Sequence, residues 1–143
     1  MLIESYFQQY PGIQNYIDST CSMAREKKYV ETILGRRRPI WDADSDNGLR
    51  RQAAERMAIN MPIQGSSAEM IKIAMIRIAE EISELNLRSK LVLQIHDELI
   101  FEFPVEEEEV LVKMVIDKME NAMKLNVPIV VDYGIGNSWY EAH

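Results

Sequence analysis

Hydrophobic residues recur with two different periods along this chain, and the change of period marks its elements. Pro11 is followed by Ile13, Tyr16, Ile17, Thr20, Met23 and Ala24, the spacing of one helix face, and Lys27 with Lys28 supplies cations that suit a helix C-terminus. "YVETILGRRRP" reads as a short strand, a glycine turn and a basic arm, and Pro39 to Gly48, "PIWDADSDNG", is rich in turn formers. "LRRQAAERMAIN" is predicted helical through Asn60, with Pro62 and Gly65 interrupting it. A second helix is predicted from Ser66, whose spacing to Glu69 is that of a capping box, along an apolar stripe at Ile71, Ala74, Ile78, Ile82 and Leu85.

The period then drops to two. In "KLVLQIHDELIFEFP", Lys90 to Pro104, Leu91, Leu93 and Ile95 alternate with Val92 and Gln94, and Leu99, Phe101 and Phe103 alternate with Ile100 and Glu102. His96, Asp97 and Glu98 fall between the two runs, where a hairpin would turn. Glu106 to Leu125 is predicted as a third helix, with four glutamates in its first turn and an apolar face at Val112, Val115, Met119 and Met123. "VPIVVDYGIG" is predicted to close the chain as a strand. Strand, strand, helix and strand in that order predict an α+β fold, an antiparallel sheet with helices packed on it.

The 143 residues, 47% hydrophobic and 27% charged, suffice for one core, so the expectation is a single domain or a large piece of one. No run of about 18 apolar residues occurs, and Met1 to Pro11 lacks a signal-peptide pattern. The expected setting is cytoplasmic, without membrane contact. Cys21 is the sole cysteine, which excludes an internal disulfide and fits a thiol packed on a helix. The net charge of -7 opposes phosphate binding. Its distribution changes that picture: Arg25 to Arg56 holds nine Lys or Arg against six acids, while acids concentrate between Asp97 and Glu109.

Two adjacent carboxylates at the end of apolar strands repel, and a bound cation relieves the repulsion. Oxygen donors with an exposed position favour magnesium or manganese over zinc. Asp and Glu are also ordinary turn residues, so a purely structural turn accounts for the same pair. Other chemistries fit worse. Asp42, Asp44 and Asp46 imitate the start of a calcium loop, but Asn47 and Ala53 stand where that loop needs Gly and Glu. A His-Asp phosphohydrolase needs more histidines than His96 and His143, and no G-x-S-x-G elbow or phosphate-binding Gly-Lys-Ser/Thr occurs.

"VLQIHDELIFE" resembles the third polymerase motif of family A DNA polymerases, the bacterial DNA polymerase I group, whose palm hairpin carries a His-Asp-Glu turn. "RQAAERMAINMPIQGSSAEMIKIAM" resembles the helix pair before it, "YVETILGRRR" a segment further upstream, and "VDYGIGNSWYEAH" the family's carboxyl terminus. The likeness runs in the family's order from about Tyr6 to His143. It implies a palm-type antiparallel sheet, with 1–65 as fingers-proximal helices and basic arm and 66–143 as the palm portion.

The resemblance further implies that Asp97 binds two catalytic magnesium ions, with Glu98 as neighbouring carboxylate and His96 near the primer terminus. It implies that Arg56, Asn60 and Gln64, and with them Gln94, touch the template-primer duplex. Arg, Asn and Gln suit minor-groove acceptors, which sense pair geometry without reading sequence. Arg36 and Arg37, with Arg38, form either a phosphate-binding arm or a solvated basic turn. The partners so implied are primer-template DNA and deoxynucleoside triphosphates. The second metal-binding aspartate and the nucleotide-binding fingers helix of that family have no counterpart here. The expectation is therefore the last part of a polymerase: an expressed fragment, a truncated reading frame, or one piece of a split enzyme that associates with an upstream polymerase segment. The alternative is a catalytically inactive DNA-binding or interaction fragment.

Overall fold

The computed structural model describes residues 2–143; Met1 lies outside the described residues. The helices are α1 (Leu2–Gln9), α2 (Pro11–Lys27), α3 (Gly48–Glu84), α4 (Glu108–Glu120) and α5 (Trp139–Ala142), and the strands are β1 (Tyr29–Glu31), β2 (Arg37–Pro39), β3 (Lys90–Ile95) and β4 (Glu98–Glu102). Short 3-10 turns occupy Trp41–Asp44 and Val105–Glu107. Among the described residues two separate antiparallel pairs, β1 with β2 and β3 with β4, make up the strand content, so the α+β expectation holds. The chain divides into two compact units, Met1–Ala68 and Glu69–His143.

In the first unit α2 begins with Pro11, whose fixed φ suits the first helical turn, and ends at Lys28 in the left-handed region, φ 60. The basic arm expected after Glu31 is a returning strand: Val30 pairs with Arg38 and Glu31 with Arg37, and Gly35 takes the positive φ of 83 that the reversal requires. Val30, Ile40, Ala24 and Ala43 pack with Ala54, Ala58 and Met61 of α3 to form the core of this unit. Cys21 is half-buried on α2, and burial pushes its thiol up, away from the reactive thiolate.

The interruption expected at Pro62 does not occur; α3 runs through it. Pro62 forfeits one helical hydrogen bond, but a break there would expose the stripe Ala54, Ala58 and Met61. The hydroxyl of Ser66 donates to Pro62 O (2.5 Å) and accepts from the backbone N–H of Ile33 (3.0 Å). Ser66 is thus a buried residue in mid-helix that ties α3 to the β1–β2 loop, not an N-cap. Gly65 allows the close approach: a methyl group there would lie 2.6 Å from Thr32 Cγ2. Gly65→Ala is expected to destabilise the chain by about 1–3 kcal/mol through overpacking, and adding Thr32→Ser, which removes the opposing methyl, is expected to restore most of the loss. Equal urea midpoints for parent and Gly65→Ala would refute the close fit.

In the second unit Ala74 and Ile78 of α3 pack with Leu111, Met114 and Ala122, flanked by Leu99, Phe101 and Phe103. The third helix is shorter than Glu106 to Leu125, and its inner face adds Leu111 and Met114 to the expected Val115 and Met119, which pack against the same core. It starts after a 3-10 turn, buries Leu111 and Met114, and stops where Asn121 Nδ2 donates to Asp117 O and Oδ1 and Asn121 O accepts from Arg77. The strand expected at 127–136 does not form. Its alternation is real, but a strand needs a neighbouring edge to pair with, and Val127, Val130 and Tyr133 stay exposed.

Candidate functional site

The β3–β4 ladder pairs Leu91 with Phe101, then Leu93 with Ile100, Gln94 with Leu99 and Ile95 with Glu98, with a register shift between Leu91 and Leu93. Such a bulge re-aims the side chains that follow it. Leu99 and Phe101 face the helices, so their cross-strand partners Gln94 and Leu91 share that face, whereas Leu93, Ile95, Ile100 and Glu98 share the other. The uniform alternation read from the sequence in β3 is therefore split at Val92.

Only His96 and Asp97 form the turn; Glu98 opens β4. His96 takes φ 52, a left-handed conformation in which His is enriched among residues with a side chain. The side chain of Gln94 closes the turn by donating to His96 O at 2.6 Å. Asp97 is exposed at the tip, and its carboxylate has no hydrogen-bond or ion-pair partner among the described residues. Glu98 is half-buried, and its Oε1 lies 3.1 Å from His143 Nδ1. The hairpin's backbone hydrogen bonds and Gln94 thus leave Asp97 unengaged, while Glu98 is held.

The base of the hairpin is fixed by another carboxylate. Glu107 accepts from the hydroxyl of Ser89 (2.6 Å), from the backbone N–H of Ser89 (2.9 Å) and from that of Arg88 (2.9 and 3.0 Å). The Ser89 hydroxyl foremost, then the Arg88 N–H, hold the Glu107 carboxyl below its ordinary range. A carboxyl depressed in the folded state contributes stability above its unfolded value, and that contribution is lost as pH falls through the folded one. Glu107→Gln is accordingly expected to flatten the acid limb of a urea-midpoint profile below about pH 4.3, the ordinary glutamate value. An acid limb parallel to the parent's would remove Glu107 from that role.

Arg56, Asn60 and Gln64 lie four residues apart on unbroken α3, all exposed, so they line one face, opposite Ala54, Ala58 and Met61. Met57 is 41% exposed beside them. Arg36 sits in the β1–β2 loop, where its N–H donates to Thr32 Oγ1 at 3.1 Å. The Arg37 guanidinium is engaged within its own hairpin: Nε lies 3.2 Å from Glu31 Oε2, and the group sits 4.5 Å over the Tyr29 ring. These residues belong to the first unit, and Gln94, His96, Asp97 and Glu98 to the second.

Asp97 and Glu98 supply the oxygen donors that magnesium takes, and no group of three or more His, Cys, Asp or Glu stands ready as a metal cage among the described residues. The pair fits one side of a magnesium site, because that ion commonly takes one or two carboxylates and completes its shell with water and substrate phosphates. Sequence reasoning missed His143. The signal was present: Ser138 ahead of "WYEAH" is an N-cap residue, and in the structure its hydroxyl accepts from Glu141 N.

The family model for DNA polymerase family A matches residues 1–141. The DNA polymerase I of Bacillus caldotenax is 48% identical over 140 residues, 98% of this chain and 16% of that protein. The DNA polymerase I of Caldicellulosiruptor bescii is 45% identical over 139 residues, 97% of this chain and 16% of that protein. A solved structure, the POL domain of Pol1 from M. smegmatis in complex with DNA primer-template and dNTP, is similar with a TM-score of 0.95 and 44% identity, over 98% of this chain and 25% of that one. The chain belongs to DNA polymerase family A, and it spans about 16% of the length of the curated relatives it matches. No described helix is long and apolar enough to cross a membrane.

Proposed function

We propose that this chain furnishes the palm hairpin and a duplex-facing helix of a cytoplasmic, template-directed DNA polymerase that transfers nucleotides by a two-metal mechanism, with 1–65 on the fingers side and 66–143 in the palm. The observation that carries the reading is Asp97: an exposed carboxylate without a partner among the described residues, at the tip of a turn that other groups close. Similarity to a polymerase solved with primer-template and dNTP supports the assignment of DNA and nucleotide as partners.

Asp97, with Glu98 next to it in the chain, would hold magnesium through its carboxylate oxygens. Magnesium, when bound, supplies positive charge for the reacting phosphoryl oxygens. His96, fixed by its turn conformation, stands next to Asp97 for contact near the primer end. Arg56, Asn60 and Gln64 bind the duplex along one helix face, Gln94 closes the turn that carries Asp97, and Arg36 and Arg37 serve the phosphate backbone, Arg37 in exchange for its contacts with Glu31 and Tyr29. The hairpin turn offers one carboxylate pair, and the chain works together with a further polymerase segment that contributes the remaining ligands and the nucleotide-binding helix.

The test is a chimera in which this chain replaces the matching segment of the Bacillus caldotenax DNA polymerase I. Primer extension with magnesium and four deoxynucleotides is expected. A folded chimera that binds primer-template yet extends nothing would sink the reading. In the active chimera, replacing Arg56, Asn60 and Gln64 together by alanine is expected to raise the primer-template Kd, and Arg56→Ala alone to reduce the salt slope by about one if that side chain meets phosphate. An unchanged Kd in the triple variant removes this face from the interface.

A further inference from the structure

Residues 134–143 fold back on themselves. A Cβ on Gly134 would stand 1.9 Å from Ala142 O, and one on Gly136 would stand 2.5 Å from Glu141 Cβ, so the glycine backbone lies directly against α5. The Glu141 carboxylate accepts from Asn137 N at 2.8 Å, and Ser138 caps the short helix. The Trp139 ring meets the His143 ring edge to face, with centroids 6.4 Å apart. This fold-back delivers the imidazole of His143 to the carboxylate of Glu98, at 3.1 Å.

We propose that His143 is a positioning residue for Glu98: the 134–143 fold-back fixes the rotamer of the carboxylate next to Asp97. The inference rests on the polymerase reading for its consequence, but the contact itself does not. A glutamate side chain at a strand end samples many rotamers, and one partner suffices to select among them. An exposed pair of this kind adds little to folding, and the side chains are 70% and 42% exposed. Its effect therefore falls on the geometry of the acidic turn and not on stability. Groups that orient a metal-binding carboxylate commonly change metal affinity or activity by roughly 10- to 100-fold when removed.

Two measurements test this. In the 143-residue chain without metal, the imidazole 15N resonances of His143 are expected to differ between the parent and Glu98→Ala; identical spectra overturn the contact and the proposal with it. In the active chimera, His143→Ala is expected to lower kcat by roughly tenfold or more, with KM for the nucleotide, Kd for primer-template and urea midpoint unchanged. His143→Asn, whose amide nitrogen can stand in for Nδ1, is expected to restore most of the rate. In a Glu98→Ala background His143→Ala is expected to cost nothing further. A raised Kd with unchanged kcat means that the imidazole meets DNA instead, and additive losses mean that it acts independently of Glu98; either overturns the proposal. A parent chimera without activity overturns the polymerase reading, and the spectrum then decides the contact alone.

Discussion

Asp97→Asn in the chimeric polymerase is expected to lower the primer-extension rate by at least about 10²-fold, the usual scale for losing one preorganised electrostatic contact to a transition state. The substitution keeps shape and hydrogen-bonding capacity but removes the charge, and asparagine is at home in turns. The turn itself does not depend on the carboxylate: Gln94 closes it through His96 O, and Asp97 has no partner within the described residues. The urea midpoint of the 143-residue chain should accordingly stay where it is. Primer-template affinity should change little, because Arg56, Asn60 and Gln64 carry that contact in the proposed arrangement. A variant that extends primers at the parent's rate removes Asp97 from the reaction; one that loses rate only because the chain unfolds returns the acidic turn to a structural role.

Ile78→Ala is expected to destabilise the chain by about 2–5 kcal/mol. Ile78 is fully buried, 0% exposed, and meets Leu111 and Met114 from α4 with Leu99 and Phe101 flanking from the hairpin. Removing its outer carbons forfeits transfer free energy and leaves a cavity among neighbours held on rigid elements. Ile78→Val should cost about 0.5–1.5 kcal/mol. By contrast Ile76, two residues earlier and 59% exposed, should tolerate alanine within about 0.5 kcal/mol, as surface positions usually do. Urea titration of the three variants orders them; a loss at Ile76 equal to that at Ile78 would contradict the assignment of the buried face.

Much of the second unit was legible from the chain. The period-two runs around His96 and Asp97 specify a hairpin because alternate residues must take opposite faces, and the stripe through Ala74, Ile78 and Ile82 specifies a helix with one buried side. What failed were boundaries and faces. Local chemistry disfavours proline inside a helix and predicts a break at Pro62; the packing of Ala54, Ala58 and Met61 and the two bonds of the Ser66 hydroxyl outweigh it. The alternation through Leu91, Leu93 and Ile95 concealed the bulge, which is a property of a pair of strands and leaves no mark in one of them. Segment 127–136 carries a strand's pattern and finds no strand to pair with.

By itself the sequence determined which residues could do chemistry and where along the chain they sit: a His-Asp-Glu cluster between two strand-forming runs, and three polar residues at fourfold spacing on a helix. Periodicity and residue type are local properties, and they survive without knowledge of the rest of the fold. The tertiary structure decided how those groups are engaged. It left the Asp97 carboxylate without a partner among the described residues, placed Glu98 in a strand against His143, and engaged Arg37 with Glu31 and Tyr29. His143 and Glu98 stand 45 residues apart in the chain, and the fold brings them to 3.1 Å while Gly134 and Gly136 lie closely against α5. Contacts of that range depend on how elements pack against one another, for which neither periodicity nor residue type carries a signal.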